Sequence, residues 1–133
     1  MKRLVPTTIL VLVVIYAVPF LVYAGFTLIT DVRTPEGITP GNFQLSVLIS
    51  KVGVSIAFVL IYYHARSSWS RKWLRYSSVW IVMLIFGEIG QVLVPAYSWT
   101  EAIAGIISEI IYLPLSGYIV HRLLDNAKFG NPY

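Results

Sequence analysis

The chain has 133 residues, of which 57% are hydrophobic and only 12% charged, with a formal net charge of +4. Soluble domains carry about 25% charged residues; half that share is too little to cover a water-facing surface, so a bilayer is the expected solvent for most of the chain. No cysteine is present, which excludes disulfides, thiol redox chemistry and cysteine-ligated metal.

Four apolar stretches approach or exceed the ~20 residues needed to cross a hydrocarbon core. They run over about residues 4–29, 44–63, 77–96 and 100–123. Backbone groups in lipid must be satisfied internally, which leaves helices or closed barrels. The alternating pattern of a barrel is absent, so the expected fold is all-α, an integral membrane four-helix bundle forming a single domain. The first stretch follows Lys2 and Arg3 and carries Val22-Tyr23-Ala24 before Gly25, as a signal peptide could. Its apolar run is longer than the ~7–15 residues of such peptides, and a retained first span is expected.

The connecting segments agree with this division. Residues 31–42, DVRTPEGITPGN, are rich in proline and glycine and read as a turn region, with Asn42 as the expected cap of the second helix. The link PAYSW between the third and fourth spans is so short that those helices must be antiparallel neighbours. Within it, Ser98 and Glu101 have the spacing of a capping box. The middle link carries Trp69 and Trp73 interleaved with Arg71, Lys72 and Arg75. On a short helix the indoles would share a face and the cations would reach lipid phosphates, so these five residues are expected to form an interfacial lipid anchor.

Lysine and arginine set the expected orientation. Lys2 and Arg3 precede the first span, Arg66, Arg71, Lys72 and Arg75 lie in the middle link, and Arg122 and Lys128 follow the fourth span. The opposite side has Arg33 alone. By the positive-inside rule both termini and the middle link are cytoplasmic, in a multi-pass protein of the cytoplasmic membrane. The basic balance is thereby explained by topology, and nucleic acid is not an expected partner.

Ionisable residues within the spans are the candidates for function. Counting inward from the outer ends at ~1.5 Å per residue brings Lys51 of the second span, Glu88 of the third and Glu109 of the fourth within ~4 Å of one depth. Each such charge costs roughly 2.5–3.5 kcal/mol near a helix centre and normally turns inward to pair. Lys51 is therefore expected to contact Glu88, Glu109 or both. One cation beside two carboxylates leaves excess negative charge, which favours a shared proton and coupled titration. Gln91, Tyr23 and Tyr112 reach similar levels and are the expected supports of this polar cluster. Gly87 and Gly90 would permit close helix approach. Glu101, Gly105, Glu109, Tyr112 and Ser116 fall on one stripe, while Ser46, Ser50, Gly53 and Ala57 give the second span a small-residue face.

Other chemistry finds less support. His64 and His121, each near an arginine, could in principle be axial haem ligands, but two interfacial histidines are a weak motif and no cofactor or metal is expected. Ser50 and Lys51 are adjacent, so on a helix they do not face each other as a nucleophile pair. No phosphate loop, HExxH pair or GxSxG elbow occurs, so enzymatic activity is not expected. The leading expectation is an accessory or assembly subunit whose buried Lys/Glu cluster fixes helix packing or a partner surface, within a homo-oligomer or larger membrane complex. The alternative is a small proton-coupled transporter or channel using Glu88 and Glu109.

Overall fold

A computed structural model of the chain describes residues 2–30, 36–69, 71–95 and 97–125. Arg33 and Lys128, used in the charge count, lie outside these. The described residues are helical with no strands. In chain order the helices are α1 (Leu4–Thr27), α2 (Pro40–His64), the single turn α3 (Arg66–Trp69), α4 (Trp73–Gln91) and α5 (Trp99–Val120), which continues into a π-helical turn at His121–Asp125.

Local chemistry accounts for the helix ends. α2 is capped by Thr39, whose hydroxyl accepts from the Asn42 amide, and Pro40 fills the first helical position. Asn42 is therefore the donor and not the cap: proline's fixed φ and missing N–H suit the first turn, which moves the start upstream. α5 opens with the expected capping box, the Ser98 side chain accepting from the Glu101 amide and Glu101 Oε2 accepting from the Ser98 amide at 2.7 Å. Between α3 and α4, Arg71 adopts a left-handed φ of 62°, so the chain breaks there. Trp69 closes α3 and Trp73 opens α4, and the indoles do not share one helix as expected from their spacing.

Successive long helices alternate in direction. At one end Arg3 donates to the Leu123 carbonyl, Tyr62 to Asp125, and Tyr76 to the Phe58 carbonyl. At the other, Tyr16 of α1 bonds Gln44 of α2, and Tyr23 bonds the Glu101 carbonyl. α5 packs along both α4 and α1, and α1 also packs on α2. Half of the α5 segment is buried, against 11% of α1, so α5 is the central element.

The tightest packing lies at the first end. Phe58 and Tyr62 of α2 interlock with Tyr76 of α4, with ring centroids 4.8 and 5.1 Å apart, and Trp80 stacks beyond Phe58 at 5.4 Å. Such pairs contribute about 0.5–1.5 kcal/mol each beyond area burial. α4 and α5 meet through a second contact. Ser77 donates to the carbonyls of Trp73 and Leu113, and its hydroxyl sits where a Cβ on Gly117 would stand. Only a glycine at 117 lets the helices come this close. Gly53, Gly87 and Gly90, by contrast, have nothing within 4 Å of a built Cβ, so the expected close approach at Gly87 and Gly90 is not made.

Three helices are long and apolar enough to cross a membrane: α1, α2, and α5 with its π turn. α4 is comparable in length, but Arg75, Ser77, Ser78, Glu88 and Gln91 dilute its apolar run. Large apolar side chains are exposed along all four long helices, among them Val5, Leu21, Ile49, Phe86 and Ile110. An outer surface of this kind suits lipid rather than water.

The Ser77–Gly117 contact makes a prediction. Gly117→Ala should destabilise the protein by ~1–3 kcal/mol, the usual cost of overpacking, seen as a lower melting temperature in detergent. Adding Ser77→Ala should recover part of the loss, because the hydroxyl is the atom in the way.

Candidate functional site

The second end of the molecule opens into a cavity of about 570 Å³ whose lining includes Lys51, Glu88, Glu109, Gln91, Tyr23 and Tyr112. These residues come from all four long helices, and each helix contributes for a local reason. α5 turns its polar stripe inward, so that Gly105, Ser108, Glu109, Tyr112 and Ser116 are all buried. α1 brings Tyr23 from its last two turns, α2 brings Lys51 from its middle, and α4 brings Glu88 and Gln91 from its final turn. Gln91 is exposed at the rim, while Glu109 and Tyr112 are 4% and 1% exposed at the back.

The charges share a chamber without forming a closed pair. The Lys51 ammonium lies over the Tyr112 ring, 5.3 Å from its centroid, a cation–π contact. Both carboxylates are within its Coulombic range, yet among the described residues neither approaches it within the 4.0 Å of an ion pair. The expected lysine–carboxylate contact is thus not made. Lys51 instead rests on the aromatic face of Tyr112.

Glu88 is held by two features. Tyr97, in the turn before α5, donates a hydrogen bond to Glu88 Oε2. The carboxyl group lies in a notch over Gly105, where a Cβ would stand 2.7 Å from its Cδ. Sequence reading missed Tyr97, an aromatic in the link between α4 and α5, because nothing in a turn's sequence tells which way its side chain folds back. The Tyr97 hydroxyl also lies 3.5 Å from that of Tyr23, which donates to the Glu101 carbonyl at 3.0 Å. Burial first, and then the bond to Glu88, push the Tyr97 hydroxyl well above the ordinary tyrosine range, so it stays a neutral donor at any physiological pH.

Glu109 differs. Its Oε2, the Tyr112 hydroxyl and the Ser116 hydroxyl are buried with no hydrogen-bond partner in the protein. A buried polar atom left unsatisfied costs ~1–3 kcal/mol, and more when charged. Two of these three groups belong to residues that line the cavity, so the cavity is where a partner could reach them.

The opposite end carries a separate network. Asp125 Oδ2 accepts from Tyr62 at 2.7 Å and contacts His121 Nδ1 at 2.9 Å. The π turn brings His121 and Asp125 together. His64 is exposed, with its Nδ1 against the Leu60 carbonyl at 2.9 Å. Among the described residues, no group of three or more His, Asp or Glu side chains is arranged to hold a metal. Of the expected anchor residues, Trp69 packs edge-on to Tyr76 and Trp73 to Tyr118, with centroids at 5.6 and 5.7 Å, while Lys72 and Arg75 are exposed.

Two outcomes follow from the Glu88 cradle. Gly105→Ala should shift stability by less than ~1 kcal/mol, because only the far end of a flexible side chain must move, yet it should displace the Glu88 carboxylate from Tyr97; vibrational difference spectra of the carboxylate band check this. A tyrosine whose pKa is raised by folding contributes stability below its ordinary value of ~10 and loses it as the solution is made alkaline beyond the folded value. Tyrosinate absorbance developed by titration to about pH 11 should therefore be equal in wild type and Tyr97→Phe; a loss of one tyrosine's amplitude in the mutant would contradict the buried assignment. Comparison of the chain with protein-family models, with curated proteins and with solved structures finds no match.

Proposed function

We propose that this chain is a small four-pass membrane protein, with both termini on the cytoplasmic side, that carries a proton or small cation through the cavity shared by its helices. In this reading α4 is the fourth membrane pass, its exposed face apolar at Val79, Val82, Met83 and Phe86. Cytoplasmic placement of the termini rests on the charge asymmetry of the links.

The observation that carries the proposal is the unpartnered Glu109 carboxylate oxygen, buried and beside the Tyr112 hydroxyl at the back of an open chamber. A lysine–glutamate lock between helices would be closed by direct contact. Here the lysine rests on a tyrosine ring and one carboxylate lacks a donor. Two carboxylates against one ammonium leave one negative charge, which one proton or one cation would neutralise. Glu109 serves as the carrier in this reading, Glu88 as its partner steadied by Tyr97, and Lys51 as the charge that limits occupancy to one.

The assembly reading keeps one observation in its favour. The outer half of α2 is exposed from Pro40 to Ser50 except at Val47, and Gly53, Gly87 and Gly90 have open space above them. A second copy or a larger membrane partner could pack there.

Transport is tested in proteoliposomes with an imposed pH gradient and a trapped pH indicator. Wild type should dissipate the gradient, and Glu109→Gln and Glu88→Gln, which keep shape and remove charge, should lose the flux while retaining helical circular dichroism. Wild-type vesicles that hold every imposed gradient would reject the proposal. In that case loss of partner pull-down in the same variants would favour assembly.

A further inference from the structure

We propose that the cavity accepts a small organic ammonium with an apolar body, its N–H groups donating to Glu109 and Glu88 and its body resting on Tyr16, Phe20 and Phe43. This rests on the carrier reading above and names the chemistry of the cargo.

Three features converge on this class. The first is the donor deficit. Glu109 Oε2 is a buried acceptor without a partner, so a ligand that donates hydrogen bonds satisfies what the chain leaves open there. An ammonium offers up to three donors and accepts none. The second is charge. With both carboxyl groups ionised, Glu88 and Glu109 set two negative charges against the one positive charge of Lys51, while Glu101 is committed to its own helix cap. A monocation brings the chamber to neutrality, whereas an anion or zwitterion leaves a net negative charge in a medium where uncompensated charge is costly.

The third feature is size and wall chemistry. A volume of about 570 Å³ falls in the range of small-molecule pockets, ~300–1,000 Å³, and far exceeds a bare ion. Tyr16, Pro19, Phe20, Phe43 and Val47 line the cavity from α1 and α2, whereas Glu88 and Glu109 line it from α4 and α5. The ligand surface is thus sorted into a cationic head at α4 and α5 and an apolar body at α1 and α2. Tyrosine faces near the head add cation–π attraction, and the Lys51–Tyr112 contact already shows that a ring here receives an ammonium. Such a head group can belong to a free amine or to an ethanolamine lipid. The chemistry recognised is the same.

The test measures binding of phenethylammonium to the full chain in nanodiscs of phosphatidylglycerol by isothermal titration, beside 2-phenylethanol (a neutral isostere) and phenylalanine (its zwitterionic counterpart). Phenethylammonium should bind at least ~30-fold more tightly than the alcohol, the scale set by removing one partner of a buried charge pair. Glu109→Gln should erase that preference, and Lys51→Gln, which removes a repelling cation, should strengthen ammonium binding severalfold. Because Glu109→Gln could impair folding, the Lys51→Gln result stands as an independent arm. Equal binding of amine and alcohol, tighter binding of the zwitterion, or no binding of any probe would overturn the proposal. Replacing half of the disc lipid with phosphatidylethanolamine separates the sources. A weakened apparent affinity identifies the lipid head group as occupant, and an unchanged one identifies a free amine; both support the ammonium site. Proton flux in vesicles without any of these binding signals would sink the ammonium assignment alone, and absence of flux and binding together would sink the carrier reading with it.

Discussion

The constraint on which the arrangement depends is the expense of leaving a polar group against lipid. It explains why α5, which carries the most interior polar residues, lies between α4 and α1 with half its length buried. Its stripe of Glu109, Tyr112 and Ser116 has nowhere to go but inward. α1, which carries no charged side chain, can stay largely exposed. The same constraint orders the contacts that hold the helices together: serine and tyrosine hydroxyls donate to backbone carbonyls across helix boundaries, as Ser77 does to Leu113 and Tyr76 to Phe58. Between helices in lipid, such bonds and close packing replace the hydrophobic drive available in water.

The two ends resolve the constraint differently. At the aromatic end Tyr62 and His121 both meet Asp125 and Tyr76 finds a carbonyl, while Ser116 alone of the three unpartnered groups lies outside the cavity lining. At the cavity end the account does not close. Glu88 is satisfied by Tyr97, but Glu109 Oε2 has no partner among the described residues. That difference between the ends ties the fold to the functional proposal.

Much of this was legible in the residue order. Long apolar runs announced the helices, and matching depths along antiparallel spans brought Lys51, Glu88, Glu109, Tyr23 and Tyr112 to one chamber, because helical rise is regular enough to count. The capping box at Ser98 and Glu101 was equally readable, since both partners lie within four residues. What counting could not give was rotation about the helix axis and side-chain reach. Lys51 was expected against a carboxylate and lies on a ring instead; a long flexible side chain has several acceptable partners at one depth. The glycines that matter, Gly105 and Gly117, could not be told from Gly87 and Gly90 by sequence, because the distinction rests on which helix stands opposite. The break at Arg71 was hidden too, since left-handed backbone at an arginine has no strong local signature.

The aromatic clamp around Phe58 and Tyr76 has a mechanical consequence for α2. From Phe58 to Pro40 the helix extends about 27 Å at ~1.5 Å per residue, and nearly all of its outer portion is uncovered. It is a lever pinned near one end. A tilt of roughly 10° about the pin swings the tip by roughly 5 Å, well inside the range of tilts that membrane helices adopt. Lys51 sits seven residues from Phe58 along that arm, so the same tilt would shift its backbone by only about 2 Å.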